Sequence, residues 1–389
     1  MGKIVAAMAS VHAPQLFTRP PEEDPAQLDA GIAAMRKLGK VLDETKPDAL
    51  IIFASDHMET FFLKSVPTFA VVAGERANAA FAGKTWAPPI HQPLAEGLLE
   101  QLVRRDFDLA YSQDALLGHS FAALFEWIRE DRNIPVVPIF VNTYLPPLPS
   151  ARRCAALGKA IAEIIAGRPE NVALIASGGM SHYPGTSKYY NPAFDFDHWC
   201  IRELENGHSD SFLNLSVEQL DEVGNTEMLP WAPVLGAIGE QHMELLSYQE
   251  TAHHGHAVAR FHPGAKQNAA PPQEPYQFHN HPYRFYVHPP VAVYHLNRLL
   301  YDSRYKPVLR QRMFDELDAV MREYDLSGKE SGALKKVFEF PYLETDRPAR
   351  DAEPVVEIGA HPVGALMAVH VLQQQARKRR SVLVPAGAN

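Results

Sequence analysis

The chain has 389 residues, of which 46% are hydrophobic, enough for a substantial core and for more than one domain. Its net charge of -9 argues against nonspecific nucleic-acid binding, which needs a basic face, and its 2 cysteines (Cys154 and Cys200, both read as small buried residues) exclude a disulfide framework and a thiolate metal cluster. With no signal-peptide pattern at the N-terminus and no apolar run of membrane-spanning length, a cytoplasmic protein with no membrane partner is expected.

Residues 3–10 are near-continuously apolar and read as a buried parallel strand, followed by Val11-His12-Ala13-Pro14, where the proline disfavours helix at Ala13. Residues 24–43 carry helical spacing in Leu28, Ile32, Met35, Leu38, Val41 and Leu42. A second strand, 49–54, leads to Asp56-His57, and a third is expected at 69–73. Residues 93–105 read as helix, 110–112 as a short link, and Gly118-His119-Ser120 as the start of a helix running to Ile128. Residues 134–141 form a strand, but Pro135 and Pro138 suggest an edge or irregular one. A helix over 150–166 then precedes Val172-Ala-Leu-Ile-Ala-Ser-Gly-Gly-Met-Ser-His-Tyr-Pro184, a strand that breaks into glycines and delivers His182 to a loop. Strands alternating with helices predict an α/β fold with a helix-covered, mostly parallel sheet.

Beyond His182 the pattern changes. Asn191-Pro-Ala-Phe-Asp195 enters a helix, and Ser216-Val-Glu-Gln219 has capping-box spacing. Residues 225–243 read as one helix with Glu227 in its first turn, His242 in its packed pattern and Trp231 after Pro230. Two strands, 245–248 and 257–261, flank the histidine-rich loop 251–256. A proline-rich linker at 266–284 separates a catalytic domain, 1–265, from a small all-α C-terminal domain, 285–389, with helices at 291–300, 306–324 and 363–376.

The chain holds 18 histidines, and three of them, His12, His57 and His182, follow strand ends, where open α/β sheets place ligands. Most others read as bland: His91 and His208 as surface-loop residues. Two imidazoles and one carboxylate on one face leave adjacent metal positions open, which suits Fe(II) enzymes that bind substrate beside dioxygen. His12 and His57 are the candidate imidazoles and Glu227 the candidate carboxylate. His182 reads as an acid/base group on a glycine-flanked loop; as a third metal histidine it would make the site zinc-like. His119 is a second polar group for the same face or a helix N-terminal residue, and Asp56 either a metal-ligand acceptor or a cap.

The segments Val11-His12-Ala-Pro, Ser55-Asp56-His57, Gly118-His119-Ser, Ser177-Gly-Gly-Met-Ser-His182, Asn191-Pro-Ala-Phe-Asp195, and Glu227 with Trp231 together resemble the class III extradiol ring-cleavage dioxygenases of the protocatechuate 4,5-dioxygenase type. That resemblance implies that His12, His57 and Glu227 hold Fe(II), that His182 is the catalytic base, that His119 handles oxygen or substrate, and that Thr251 lines the substrate pocket. The C-terminal domain, through Glu357-Ile-Gly-Ala-His-Pro362, resembles the family's small α subunit, fused here in an order similar to gallate dioxygenases. The resemblance implies an aromatic diol of protocatechuate or gallate type and O2 as substrates, and a homodimer. A dihydroxypyridine would fit the same chemistry, and for an acidic substrate Arg284, Arg298, His253, His254 and His256 are candidate donors. A zinc hydrolase or a non-catalytic metal-binding protein would use the same scaffold.

Overall fold

The computed structural model describes residues 1–262, 271–282, 284–339 and 348–383. They divide into two units: Met1–His182 with Tyr190–Arg284, and Tyr183–Tyr189 with the chain from Phe285 onward. Residues 266–270 and 283 of the expected linker lie outside the described residues.

The first unit is built on β1 (Ile4–Ser10), β2 (Ala49–Ala54), β3 (Phe69–Val72), β4 (Ala79–Phe81), β5 (Lys84–Trp86), β6 (Ala110–Ser112), β7 (Val136–Val141), β8 (Val172–Ser177), β9 (Met243–Glu250) and β10 (Gly255–Phe261). Strands β4 and β5 form a two-stranded sheet, and the other strands form one 8-stranded sheet in the order β6-β3-β7-β2-β8-β1-β10-β9. The central pairs β7/β2, β2/β8 and β8/β1 are parallel, whereas β10 runs antiparallel to β1 and β9 to β10. Every residue of β2, β7 and β8 is buried, as expected of parallel strands covered on both faces. The fold is therefore the helix-covered, mostly parallel α/β architecture.

The helix Pro25–Thr45 shows how the covering layer is specified. Asp24 caps it by accepting from the Ala26 N–H, Pro25 sits in its first turn, and Leu28, Ile32, Met35, Leu38 and Leu42 turn into the core. The sheet positions the functional site through its register. Ser10, Ser177, Ala54 and Phe140 form one continuous rung, so β1, β8, β2 and β7 end level with one another. Because β10 is antiparallel, its first residues arrive at that same end, where the Val11 N–H donates to Ala257 O at 2.9 Å.

Several expectations need correction. Strand β7 is interior, between β2 and β3. The antiparallel β3 ladder reaches only Ile139–Val141, so Pro138 falls outside it and no rung is lost to its missing N–H. Residues 110–112 are strand β6, paired parallel with β3, not a link. The helix expected over 225–243 is a 3-10 turn, Thr226–Met228, followed by a helix Trp231–Ile238 that stops at Gly239, whose φ of 72° is left-handed. His242 lies beyond that helix and contacts the Glu205 carbonyl at 2.8 Å.

The expected linker's described part, 271–282, makes definite contacts within the first unit. Trp199 Nε1 donates to Glu274 O at 3.0 Å, and the N–H groups of His279 and Asn280 donate to the Glu222 carboxylate. The second unit contains only helices among its described elements: Tyr294–Tyr305, Pro307–Asp315, Leu317–Glu323, Gly328–Phe338, Pro348–Val356 and Pro362–Leu383. Leu296, Leu300, Met313, Leu334, Val369 and Leu372 belong to its separate core. The helix expected over 306–324 is broken at Glu316, whose φ of -146° is not helical. No helix among the described residues is long and apolar enough to cross a membrane.

One close helix contact lies just beyond the turn that carries Glu227. The helix Ala151–Ala166 lies so close to Trp231–Ile238 that a Cβ on Gly158 would sit 1.7 Å from Pro233 O, and one on Gly236 would sit 2.0 Å from Ala155 O. Gly158→Ala is expected to destabilise the chain by about 1–3 kcal/mol through overpacking; equilibrium denaturation checks this, and wild-type stability would contradict it.

Candidate metal centre

The level strand ends bring chemistry-bearing residues together. His12 stands just past β1, Ser55 and His57 past β2, Tyr144 past β7, and Ser177 and His182 at and beyond the end of β8. Asp56 caps no helix: its carboxylate closes a turn by accepting from the N–H groups of Glu59, Thr60 and Phe61. The acceptor beside the histidines is instead Glu59, 3.9 Å from His57 Nδ1, 3.4 Å from His119 Nδ1, and bonded to the His57 N–H at 2.9 Å. His119 is buried, its ring centroid 4.1 Å from that of His57.

Glu227 is fixed by two links between its turn and the His182 loop. The His182 N–H donates to Gly224 O, and Trp231 Nε1 donates to Gly178 O. Buried Asp197 ties them again, accepting from Ser181 N–H, Asn225 Nδ2 and the Tyr248 hydroxyl; burial pushes its carboxyl up to about 7.

The Glu227 side chain is fully buried, and imidazole nitrogens surround its carboxylate: His57 Nε2 at 2.6 Å, His182 Nε2 at 3.2 Å and His12 Nε2 at 3.3 Å. Ser55 Oγ donates to it at 2.9 Å. Burial alone would raise the carboxyl's pKa, but the three imidazoles hold it well below the carboxylate range. Burial also draws His12 below its ordinary value despite the neighbouring Glu227.

Hydrogen bonding fixes two of the imidazole tautomers. Ser177 Oγ spends its only proton on Ser120 O, so it accepts from His12 Nδ1–H at 3.0 Å. His182 Nδ1 lies 2.8 Å from Met180 O, which can only accept. In their neutral forms both rings therefore turn an Nε2 lone pair toward the carboxylate. Lone pairs converging on a buried anion repel unless a cation stands among them. The residues present fit a divalent metal ion, and the predicted His12, His57 and Glu227 are among the groups that could hold it. Candidate ligand atoms of His12, His57 and His119 lie within 4.8 Å of one another, as do those of His182, Glu227 and His254, so the predicted ligands span two adjoining groups.

The histidine-rich loop contributes to the same end of the sheet. The Thr251 N–H and hydroxyl both bond to His254 O, at 3.1 and 2.9 Å, so Thr251 closes the loop that carries His254. The His254 ring stacks on His182 with centroids 3.8 Å apart. It fits because residue 179 is glycine: a Cβ there would lie 1.7 Å from His254 Nε2. Burial, with His182 and His256 beside it, holds His254 well below its ordinary pKa, and burial draws His256 down to about 3. His253 is engaged elsewhere, its Nδ1 2.6 Å from Glu23.

Residues 6–262 match the family model described as the catalytic LigB subunit of aromatic ring-opening dioxygenase. The chain belongs to the LigB family. It is 36% identical over 145 residues (37% of this chain, 45% of the relative) to the 2,3-dihydroxyphenylpropionate/2,3-dihydroxicinnamic acid 1,2-dioxygenase of Burkholderia vietnamiensis. It is 32% identical over 193 residues (48% of this chain, 59% of the relative) to the protein of the same name from Comamonas testosteroni. The matched stretch thus spans about half the length of these curated relatives. A solved structure, uncharacterized protein JW3007 from Escherichia coli K12, is similar with a TM-score of 0.46 at 18% identity, covering 66% of this chain and 99% of that one.

Within this LigB-family chain, the structure brings His12, His57, His119, His182 and Glu227 into one cluster. Sequence reading missed Tyr144, Glu59 and the place of His254. Tyr144 was findable by the rule that located the histidines, since it follows the carboxyl end of β7. Glu59 had no such signal, because its role depends on the Asp56 turn folding it back. Ser177→Ala is expected to weaken divalent-metal binding by roughly 10- to 100-fold, because it removes the bond that orients His12. Competition with a chromophoric chelator measures this, and unchanged affinity would contradict the tautomer assignment.

Proposed function

We propose that the chain is a non-haem Fe(II)-dependent dioxygenase that opens an aromatic diol ring by extradiol cleavage, placing both atoms of O2 in the product. The observation that carries this reading is the buried Glu227 carboxylate, met by His12 and His57 Nε2, with His182 beside it in an acid/base-competent tautomer. His12, His57 and Glu227 are the proposed metal ligands. Fe(II), when bound, supplies a template for diol and dioxygen together and a path for electrons between them.

The protein's own part is orientation and proton handling. His182 Nε2 accepts a proton from the diol hydroxyl and later returns it to the opening ring. His119, beside His57, contributes the second polar group to the substrate and oxygen face. Thr251 shapes the pocket by holding the loop that carries His254 against His182. The helical unit, from about residue 285, is the proposed α-subunit-like domain, and a homodimer the proposed assembly.

The proposed substrates are catechol-type acids. Resemblance favours protocatechuate and gallate, and the names of the relatives add catechols with a three-carbon acid side chain. A panel of these with dihydroxypyridines, scanned for ring-opened absorbance, tests the class. Zinc hydrolysis is the second reading, because the same donor set also suits zinc; metal analysis with an ester panel separates the two.

Two substitutions test the roles. Glu227→Ala is expected to lose the metal while staying folded, and a metal-replete, active variant would send the ligand role to another carboxylate. His182→Ala is expected to keep the metal while turnover falls by about 10²- to 10⁴-fold; loss of metal would make His182 a ligand.

A further inference from the structure

The three segments that carry His182, Glu227 and His254 meet at one buried side chain, Asp197, which the proposed chemistry does not use. It is 0% exposed. Both carboxylate oxygens accept from the Ser181 N–H, at 3.0 and 3.1 Å, on the residue before His182. Oδ1 also accepts from Asn225 Nδ2 at 3.1 Å, two residues before Glu227. Oδ2 accepts from the Tyr248 hydroxyl at 2.8 Å, on β9. The residue after His254 is Gly255, where a Cβ would lie 2.1 Å from Asp197 Oδ2, so glycine lets the β9–β10 hairpin seat against the carboxylate. The hairpin is bonded to the His182 loop there as well, Gly255 N–H to Ser181 O and Met180 N–H to Gly255 O, both at 3.0 Å.

We propose that Asp197 is a positioning residue of the metal centre, setting the spacing between the Glu227 turn, the His182 loop and the hairpin that brings His254. This rests on the proposed ligand role of Glu227 for its consequence, but not for its geometry. A carboxylate accepts through both oxygens and donates through neither, so it takes a backbone N–H, an amide and a phenol together. An amide in its place has one accepting oxygen and turns its own NH2 toward one of the donors. A buried carboxylate is costly to keep. What it secures here is one point shared by three separate segments.

Asp197 is itself a fixed reference. It lies in the first turn of the helix Phe194–Glu205, whose Phe196, Cys200, Ile201 and Leu204 are buried in the core of the first unit. Ser181 adds a second link to the start of that helix, because its hydroxyl accepts from the Ala193 N–H and donates to Val223 O. Loss of the carboxylate therefore lets turn and loop shift against each other while the sheet stays intact, and a bound metal senses that shift through its ligands.

The test compares Asp197→Asn with Glu203→Gln in the full chain. Glu203 is a second buried carboxylate of the same helix, but its bonds go to Ser211 and Gln273, away from these segments. Co(II) is the probe, because its visible absorption reports the arrangement of its ligands. Asp197→Asn is expected to weaken Co(II) binding by about tenfold and to alter the Co(II) spectrum. Glu203→Gln is expected to keep wild-type affinity and spectrum, whatever its effect on the thermal midpoint. Tyr248→Phe removes one of the same bonds while keeping the ring, and is expected to weaken Co(II) binding by about threefold. Wild-type Co(II) affinity and spectrum in Asp197→Asn, or in Tyr248→Phe where the first variant does not fold, overturns the proposal, and so does an equal change in Glu203→Gln. If the Co(II) changes appear as expected but the Fe(II)-loaded wild-type chain opens no diol, Asp197 stands as the positioning residue and the ring-cleavage reading fails instead.

Discussion

A carboxylate with no exposed surface has to be neutralised by its surroundings, and the first unit is arranged around how that is done for Glu227. Its neighbours are imidazoles rather than arginine or lysine, and the protons of two of them are committed outward, to Ser177 and to Met180 O. Such a cluster cannot neutralise its own anion while the rings are neutral, but it can coordinate a cation. The surrounding features serve that end: the serine relay from Ser177 through Ser120 to Ser55, the Asp197 node between the two loops, and the glycine that admits His254.

The sheet supplies the precision. Four parallel strands that end on a common rung deliver side chains to one place without long loops, and a rigid strand end holds a ligand atom better than a mobile segment does. The antiparallel pair β9 and β10 extends this, because reversing direction brings the loop between them to the same end of the sheet. The histidine-rich loop can thus join a site to which β1, β2 and β8 deliver His12, His57 and His182, while Glu227 comes from the 3-10 turn Thr226–Met228 and His119 from the start of a helix.

How much of this the sequence revealed depended on how local the cause was. His12, His57 and His182 follow apolar runs within a few residues, so strand period and strand end are read together. The β7 prolines misled because sequence shows that a residue lacks an N–H, but not where the neighbouring ladder stops. Glu227 was recognisable as a polar residue before Pro230-Trp231, yet the bonds that hold its 3-10 turn, His182 N–H to Gly224 O and Trp231 Nε1 to Gly178 O, join segments some forty to fifty residues apart in the chain. The stacking of His254 on His182 is equally non-local, and Glu59 reaches the histidines only through a turn closed by Asp56. In the helical unit, amphipathic spacing marked where helices lie but not the break at Glu316, which comes from one residue's backbone angle.

The central claim is that this cluster of imidazoles and carboxylate performs iron-dependent ring opening. The most direct test is anaerobic reconstitution of the full chain with Fe(II), followed by simultaneous recording of oxygen uptake and diol loss. The account predicts one O2 consumed per diol, with a ring-opened product appearing at the same rate. An iron-loaded chain that takes up no oxygen with any diol, or that turns diol into quinone with the ring intact, would contradict it.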